Sequence, residues 1–118
     1  MIDDDDGIRR VVRRSLDGYD VVTASDGRLA LAILETTTDF DLVLCDVVMP
    51  GMGGVEFWAE LGAAHPDLLD RFVFMTGGAQ NERDERVLSS GVVEVLKKPF
   101  SFDVLCHLVA ERVDQRGR

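Results

Sequence analysis

The chain has 118 residues, of which 46% are hydrophobic and 30% are charged. This composition suits one globular domain with a buried core and excludes a disordered chain. The formal net charge of −9 excludes attraction to nucleic acid or to an anionic membrane surface by bulk electrostatics.

Helical and extended patterns alternate from the start of the chain. Residues 8–16 have the period of a helix with one apolar face, and the four arginines on its other face are expected to be solvated (Arg9, Arg10, Arg13, Arg14). A short β-rich stretch follows at 19–24. Asp26 is predicted to cap a helix over 27–37.

The second half of the chain repeats this alternation. DLVLC at 41–45 is nearly all apolar, as expected of a strand that is buried on both faces. The remaining predicted elements are a loop at 49–54, a helix at 55–65, a strand at 71–76, a helix at 81–91 ending at Gly91, a strand at 92–98, and a helix at 101–113 capped by Ser101.

Neither the cysteines nor the apolar runs indicate a zinc site or a membrane span. Cys45 and Cys106 stand outside any Cys/His cluster, so we interpret both as reduced core residues. No apolar run reaches the ~20 residues that cross a bilayer, and no signal-peptide pattern precedes the domain. We therefore expect a cytoplasmic protein.

Strands that alternate with helices predict an α/β fold with a doubly wound parallel sheet. In such sheets the ligand site lies beyond the carboxyl ends of the strands. Three predicted strands end at Asp46, Thr76 and Lys98, and Asp3 and Asp4 end a fourth if Met1 and Ile2 are its stub. The topology therefore gathers three acids, a hydroxyl and an ammonium at one edge.

These residue types suit magnesium-assisted phosphoryl transfer. Carboxylates held close together repel one another unless a cation intervenes, and Mg²⁺ takes oxygen ligands such as those of Asp4 and Asp46. A strand-end aspartate beside Mg²⁺ can act as a nucleophile toward phosphorus. The Lys98 ammonium and the Thr76 hydroxyl would meet the oxygens of the transferred group.

Four stretches in this order carry a family resemblance: IDDDDGIRR, LVLCDVVMPGMGG, FVFMTGG and LKKPF. With them the whole chain resembles the receiver domain of bacterial two-component response regulators. The resemblance implies a flavodoxin-like sheet of five parallel strands in the order 2-1-3-4-5, with five helices. It places the receiver domain at 1–114 and a polar tail at 115–118.

The resemblance also implies a role for each site residue. Asp46 would accept a phosphoryl group from a sensor kinase phosphohistidine, Thr76 would be the switch hydroxyl, and Lys98 would contact the phosphoryl group. Mg²⁺, or Mn²⁺ in its place, would be held by the side chains of Asp3, Asp4 and Asp46 and the backbone carbonyl of Val48. The bond from Lys98 to Pro99 is expected to be cis.

The partner implied by the resemblance is a sensor histidine kinase or a histidine phosphotransfer domain. We expect no nucleic acid or membrane partner for this domain. The chain would be a monomer, or a weak homodimer through the fourth helix, fifth strand and fifth helix. The MTGG and KPF stretches look like the receivers attached to hybrid histidine kinases.

Three positions depart from the family pattern. Only Met1 and Ile2 precede the acid pair, where four or five apolar residues are usual, which predicts lost backbone hydrogen bonds and lower stability. Val95 replaces the aromatic residue of the fifth strand, so signal output takes another route or depends on site occupancy alone. Val48 offers no polar side chain to attacking water, which predicts slow self-dephosphorylation.

Two other functions compete with this interpretation. A pseudo-receiver would bind a partner without being phosphorylated, and the short first strand and Val95 leave that alternative open. A phosphatase of the haloacid dehalogenase type would need an aspartate where this chain has Val48, and it would need a cap domain. We expect a phosphoacceptor domain rather than a turnover enzyme.

Overall fold

The computed structural model describes residues 1–77 and 81–116, in which helices alternate with parallel strands. The elements are α1 (Asp6–Ser15), α2 (Gly27–Thr36), β1 (Val43–Asp46), α3 (Gly54–Ala64), β2 (Phe72–Thr76), α4 (Glu82–Ser89), β3 (Glu94–Lys97) and α5 (Phe102–Arg116). A 3₁₀-helix at Pro66–Arg71 joins α3 to β2. Within the described ranges, no helix is long and apolar enough to cross a membrane.

The sheet keeps the predicted order, although two of its five positions are single bridges. β1, β2 and β3 are parallel neighbours in that order. Ile2 bridges Cys45 of β1 on one side and Ala24 on the other, also in parallel. The order across the sheet is therefore Ala24, Ile2, β1, β2 and β3, which corresponds to the predicted 2-1-3-4-5.

The short first strand, residues 1–3, precedes β1 and pairs with only the last part of the predicted strand at 19–24. The backbone N–H of Ala24 donates to Met1 O at 2.9 Å, and that of Asp3 donates to Ala24 O at 3.1 Å. On the other side, Ile2 N donates to Leu44 O at 2.7 Å and Asp46 N to Ile2 O at 2.9 Å. Residues 19–23 do not form a strand, because the segment beside them is only three residues long and pairs with Ala24.

Helices cover both faces of the sheet, as predicted. Alternate strand residues point to opposite faces. Cys45 and Phe74 pack with α2 and α3 in one cluster, whereas Leu44, Val73 and Met75 pack with α1 and α5 in another. All residues of β1 and β2 are buried, which agrees with their apolar sequences. The interior strands therefore hold their carboxyl ends in fixed positions.

Helix termini follow their capping residues. Asp5 caps α1 by accepting from Ile8 N, and Asp26 caps α2 as predicted, accepting from Leu29 N at 2.8 Å.

The last two helices end at other residues than predicted. α4 ends at Ser89 with Ser90 as its C-cap, so Gly91, predicted to end this helix, lies one residue beyond the cap with φ of 80°. α5 continues through Arg116, so residues 115 and 116 are helical. Residues 117–118 of the predicted tail lie outside the described residues.

Gly54 allows α3 to begin directly against the backbone that follows the phosphoacceptor candidate. Its N–H donates to Val47 O at 2.8 Å. A Cβ on Gly54 would lie 2.3 Å from Asp46 O and 2.8 Å from Val47 Cα, and both of these are backbone atoms. A Cβ on Gly53 would meet only Val47 O, at 3.6 Å, which is ordinary contact.

We predict that Gly54→Ala lowers the free energy of unfolding by about 2–3 kcal/mol, because backbone atoms at the end of β1 must move. Gly53→Ala is the matched control and changes it by less than about 1 kcal/mol. Urea denaturation followed by circular dichroism measures both. Equal effects of the two substitutions would show that the close approach at Gly54 is not a packing constraint.

Candidate functional site

The site lies at the carboxyl edge of the sheet, where the first strand and β1 end. Asp46 is the last residue of β1, and Asp3 and Asp4 follow the bridging residue Ile2. Hydrogen bonds between Ile2 and the backbone of β1 fix the two chain segments side by side. Asp3 is 1% exposed and Asp46 8%, whereas Asp4 is exposed.

Each carboxylate oxygen of Asp3 accepts a hydrogen bond. Asp5 N donates to Oδ1 at 3.0 Å, and the Lys98 ammonium donates to Oδ2 at 3.1 Å. Buried charges are stable only when paired and hydrogen-bonded, and Asp3 meets both conditions. Asp5, adjacent to the acid pair, therefore has two structural roles, as the cap of α1 and as a donor to Asp3.

Lys98 reaches the acids from the end of β3. Its backbone N–H donates to Thr76 O at 2.8 Å, which ties it to the end of β2. The bond to Pro99 is cis, as the resemblance predicts. Lys98 Nζ lies 3.1 Å from Asp3 Oδ2 and 3.5 Å from Asp46 Oδ2. The neighbouring Lys97 is exposed, as strand alternation predicts.

The two ion-paired groups affect one another's ionisation. Burial raises the pKa of the Asp46 carboxyl, the nearby Asp3 carboxylate raises it further, and the Lys98 ammonium opposes both effects. Burial by itself would lower the pKa of Lys98, but the hydrogen bond that Lys98 donates to Asp3 and the negative charge of Asp46 together outweigh it, so this pKa is raised. Lys98 is therefore a firmly held cation among acids that repel one another.

Three carboxylates converge tightly enough for one hard cation. Asp3, Asp4 and Asp46 each offer an oxygen, and these oxygens lie within 4.8 Å of one another. An all-oxygen donor set with an exposed side matches Mg²⁺, which keeps several water ligands. The residues present therefore fit the metal that the sequence predicts.

The remaining predicted residues lie at the same edge. Thr76 is buried as the last residue of β2, in register with Lys97 of β3. Val48 lies two residues after Asp46 and is 39% exposed. The structure thus brings all the predicted positions to one end of the sheet.

Arg9 is the site residue that the sequence analysis missed. Its predicted place on a solvated helix face is wrong, because its guanidinium donates to the backbone carbonyl of Asp3 at 2.7 Å. The side chain of Arg9 is 18% exposed, against 65% for Arg10. Its place in the first turn of α1, six residues after Asp3, is the signal that could have revealed this contact.

A comparison with protein-family models identifies the family of this chain. The family model described as "Response regulator receiver domain" matches residues 1–110. The chain belongs to the response regulator receiver domain family. This membership confirms the resemblance and places the chain in two-component phosphorelay signalling, and nothing in the comparisons favours a pseudo-receiver.

Curated relatives and a solved structure agree with the family. The chain is 34% identical over 98% of its length to the sensor kinase CckA of Brucella abortus, and 37% identical over 89% to the response regulator MprA of Mycolicibacterium vanbaalenii. It spans only 12% and 45% of those proteins. The chemotaxis protein CheY4 of Vibrio cholerae is 31% identical, with a TM-score of 0.77 over 93% of this chain and 92% of that one. This neighbour confirms the predicted flavodoxin-like fold.

We predict that Lys98→Ala destabilises the metal-free receiver domain by about 2 kcal/mol, because buried carboxylates lose a neighbouring cation. Lys97→Ala, which removes the adjacent exposed ammonium, changes stability by less than about 0.5 kcal/mol. Chemical denaturation in EDTA compares the two variants. A Lys98→Ala variant as stable as Lys97→Ala would mean that the ion pairs contribute nothing in the absence of metal.

Proposed function

We propose that Asp46 accepts a phosphoryl group from the phosphohistidine of a sensor kinase or a histidine phosphotransfer domain, with Mg²⁺ as cofactor. The observation that carries this proposal is the position of Lys98 Nζ, 3.1 Å from Asp3 and 3.5 Å from Asp46 at the edge where the three acids converge. The ammonium, together with a cation held by the carboxylates, suits a group whose oxygens carry negative charge.

The transfer exchanges one bond to phosphorus for another. A carboxylate oxygen of Asp46 forms a bond to phosphorus while the P–N bond of phosphohistidine breaks, and the bonding pair returns to the imidazole nitrogen. The Lys98 ammonium is already between the acids and can turn to an oxygen of the incoming group. Thr76, at the end of the neighbouring strand, would donate its hydroxyl proton to another such oxygen.

Asp3, Asp4, Asp46 and the backbone carbonyl of Val48 would hold Mg²⁺, and Mn²⁺ would bind to the same oxygen ligands. When bound, the metal supplies positive charge against the phosphoryl oxygens. Asp3 is fixed by two hydrogen bonds, whereas Asp4 is exposed. A buried acid beside an exposed one leaves room for the water ligands that Mg²⁺ keeps.

The proposed domain is an acceptor and a switch rather than a turnover enzyme. It comprises residues 1–114 and would act in the cytoplasm, where its two free cysteines stay reduced. The domain would be a monomer, or would form a weak homodimer through α4, β3 and α5. With Val95 in β3 in place of an aromatic residue, occupancy of the site would have to change that face without an aromatic rotamer.

Intact-mass spectrometry after incubation with phosphoramidate and Mg²⁺ tests the proposal. We predict a gain of one phosphoryl group, abolished in Asp46→Asn and in EDTA, and unaffected in the control Asp17→Asn, an exposed acid beyond α1. After the donor is removed, we expect the added mass to decay slowly, because Val48 has no polar side-chain atom to orient water.

A folded wild-type protein that gains no mass would contradict the phosphoacceptor assignment and favour a pseudo-receiver. Mass gain that persists in Asp46→Asn would place the acceptor on another residue. Mass gain in EDTA would show that the acids act without a metal.

A further inference from the structure

We infer that Arg9 is a positioning residue for the metal site, and this inference rests on the proposed function. It holds the backbone between Asp3 and Asp4 in the orientation that aims the Asp4 carboxylate at the cation. It does so through the hydrogen bond from Arg9 Nη1 to Asp3 O, at 2.7 Å.

Within the part of the chain that the structure describes, no backbone N–H of the neighbouring strand segment donates to the carbonyl of Asp3. Ala24 N donates to Met1 O, and Asp3 N donates to Ala24 O. The next bond of this parallel ladder would join residue 26 to Asp3 O. Asp26 instead caps α2, where the chain leaves the sheet.

Arg9 replaces that missing donor. Among the described residues, the structure gives Asp3 O no other donor. A buried carbonyl without a donor is unfavourable, and a charged donor forms a strong bond to it. The guanidinium is held in turn by Asp6 Oδ1, 3.1 Å from Nη2. The Arg9 guanidinium, through these two bonds, therefore connects the first turn of α1 to the end of the first strand.

The orientation of this carbonyl matters for Asp4 rather than for Asp3. The carboxylate of Asp3 is fixed independently by Asp5 N and Lys98. The peptide plane that contains Asp3 O also contains the nitrogen of Asp4, because the peptide bond is planar. The bond from Arg9 therefore orients the backbone from which the exposed Asp4 side chain extends.

The charge of Arg9 and its proposed positioning role predict opposite changes in Mg²⁺ affinity when Arg9 is removed. A guanidinium near the acids repels Mg²⁺, so by charge alone its removal would strengthen metal binding. If Arg9 positions Asp4, its removal weakens metal binding. The sign of the change in affinity therefore separates the two roles.

Calorimetric titration of Mg²⁺ into the full chain measures this sign. We predict that Arg9→Ala raises the Kd about tenfold, which corresponds to about 1.4 kcal/mol. Arg9→Lys keeps the positive charge but lacks the two-nitrogen geometry of the guanidinium, so its Kd stays within about threefold of that of Arg9→Ala. Arg10→Ala is the control: it removes an equally charged neighbour that also contacts Asp6 but is exposed, so its Kd changes by less than about twofold.

A second measurement separates metal positioning from damage to the fold. Circular dichroism in EDTA checks that each variant is folded. If Arg9→Ala does not fold, Arg9→Lys is used for the measurement instead. At saturating Mg²⁺ the phosphorylation rate of the folded Arg9 variant returns to within about twofold of wild type, because the defect lies in affinity.

An unchanged or lower Kd in Arg9→Ala would overturn this inference while leaving the proposed function intact. A rate that saturating Mg²⁺ does not restore would also overturn it. Wild-type protein that binds no Mg²⁺ would contradict the proposed metal site itself, and the role of Arg9 with it.

Discussion

The ion pairs of Lys98 with Asp3 and Asp46 are the interaction on which the site depends. A parallel sheet that ends two interior strands in aspartates places like charges side by side where little water reaches them. Such an arrangement of ionised carboxylates is unfavourable unless a cation lies close to them. Lys98 supplies that cation from the end of β3, at 3.1 Å and 3.5 Å from the two acids.

The rest of the fold positions these three side chains. Ile2 is hydrogen-bonded to β1 on one side, while its neighbours Met1 and Asp3 pair with Ala24 on the other, so even a very short first strand has a fixed register. Gly54 lets α3 start against the carbonyl of Asp46. Because these constraints act on backbone atoms, the acids are held in place before any metal or phosphoryl group arrives.

Much of the site could be predicted from sequence because parallel strands collect their carboxyl ends at one edge. Asp46, Thr76 and Lys98 each follow a recognisable apolar run, and Asp3 and Asp4 follow a stub of one. The contact of Arg9 could not be predicted in this way. Helical periodicity assigns it to the polar face, and that pattern does not show that a long side chain can reach back to the preceding strand.

The boundaries that sequence missed also have physical causes. Residues 19–23 lie in a β-rich stretch, but a strand needs a neighbour to pair with, and β-rich composition by itself does not show whether that neighbour is long enough. Gly54 looked like any other loop glycine, and only the structure shows the backbone atoms 2.3 Å from where its Cβ would stand. In both places a tertiary contact decides the local structure.

The thermal midpoint of the protein with and without Mg²⁺ at constant ionic strength tests the metal site most directly. If the metal relieves repulsion among Asp3, Asp4 and Asp46, Mg²⁺ at ~100 times its Kd should raise Tm by about 10 °C. Asp3→Asn should reduce that increase strongly, and NaCl of equal ionic strength should not reproduce it. A midpoint that does not respond to Mg²⁺ would contradict the claim that these carboxylates form a metal site.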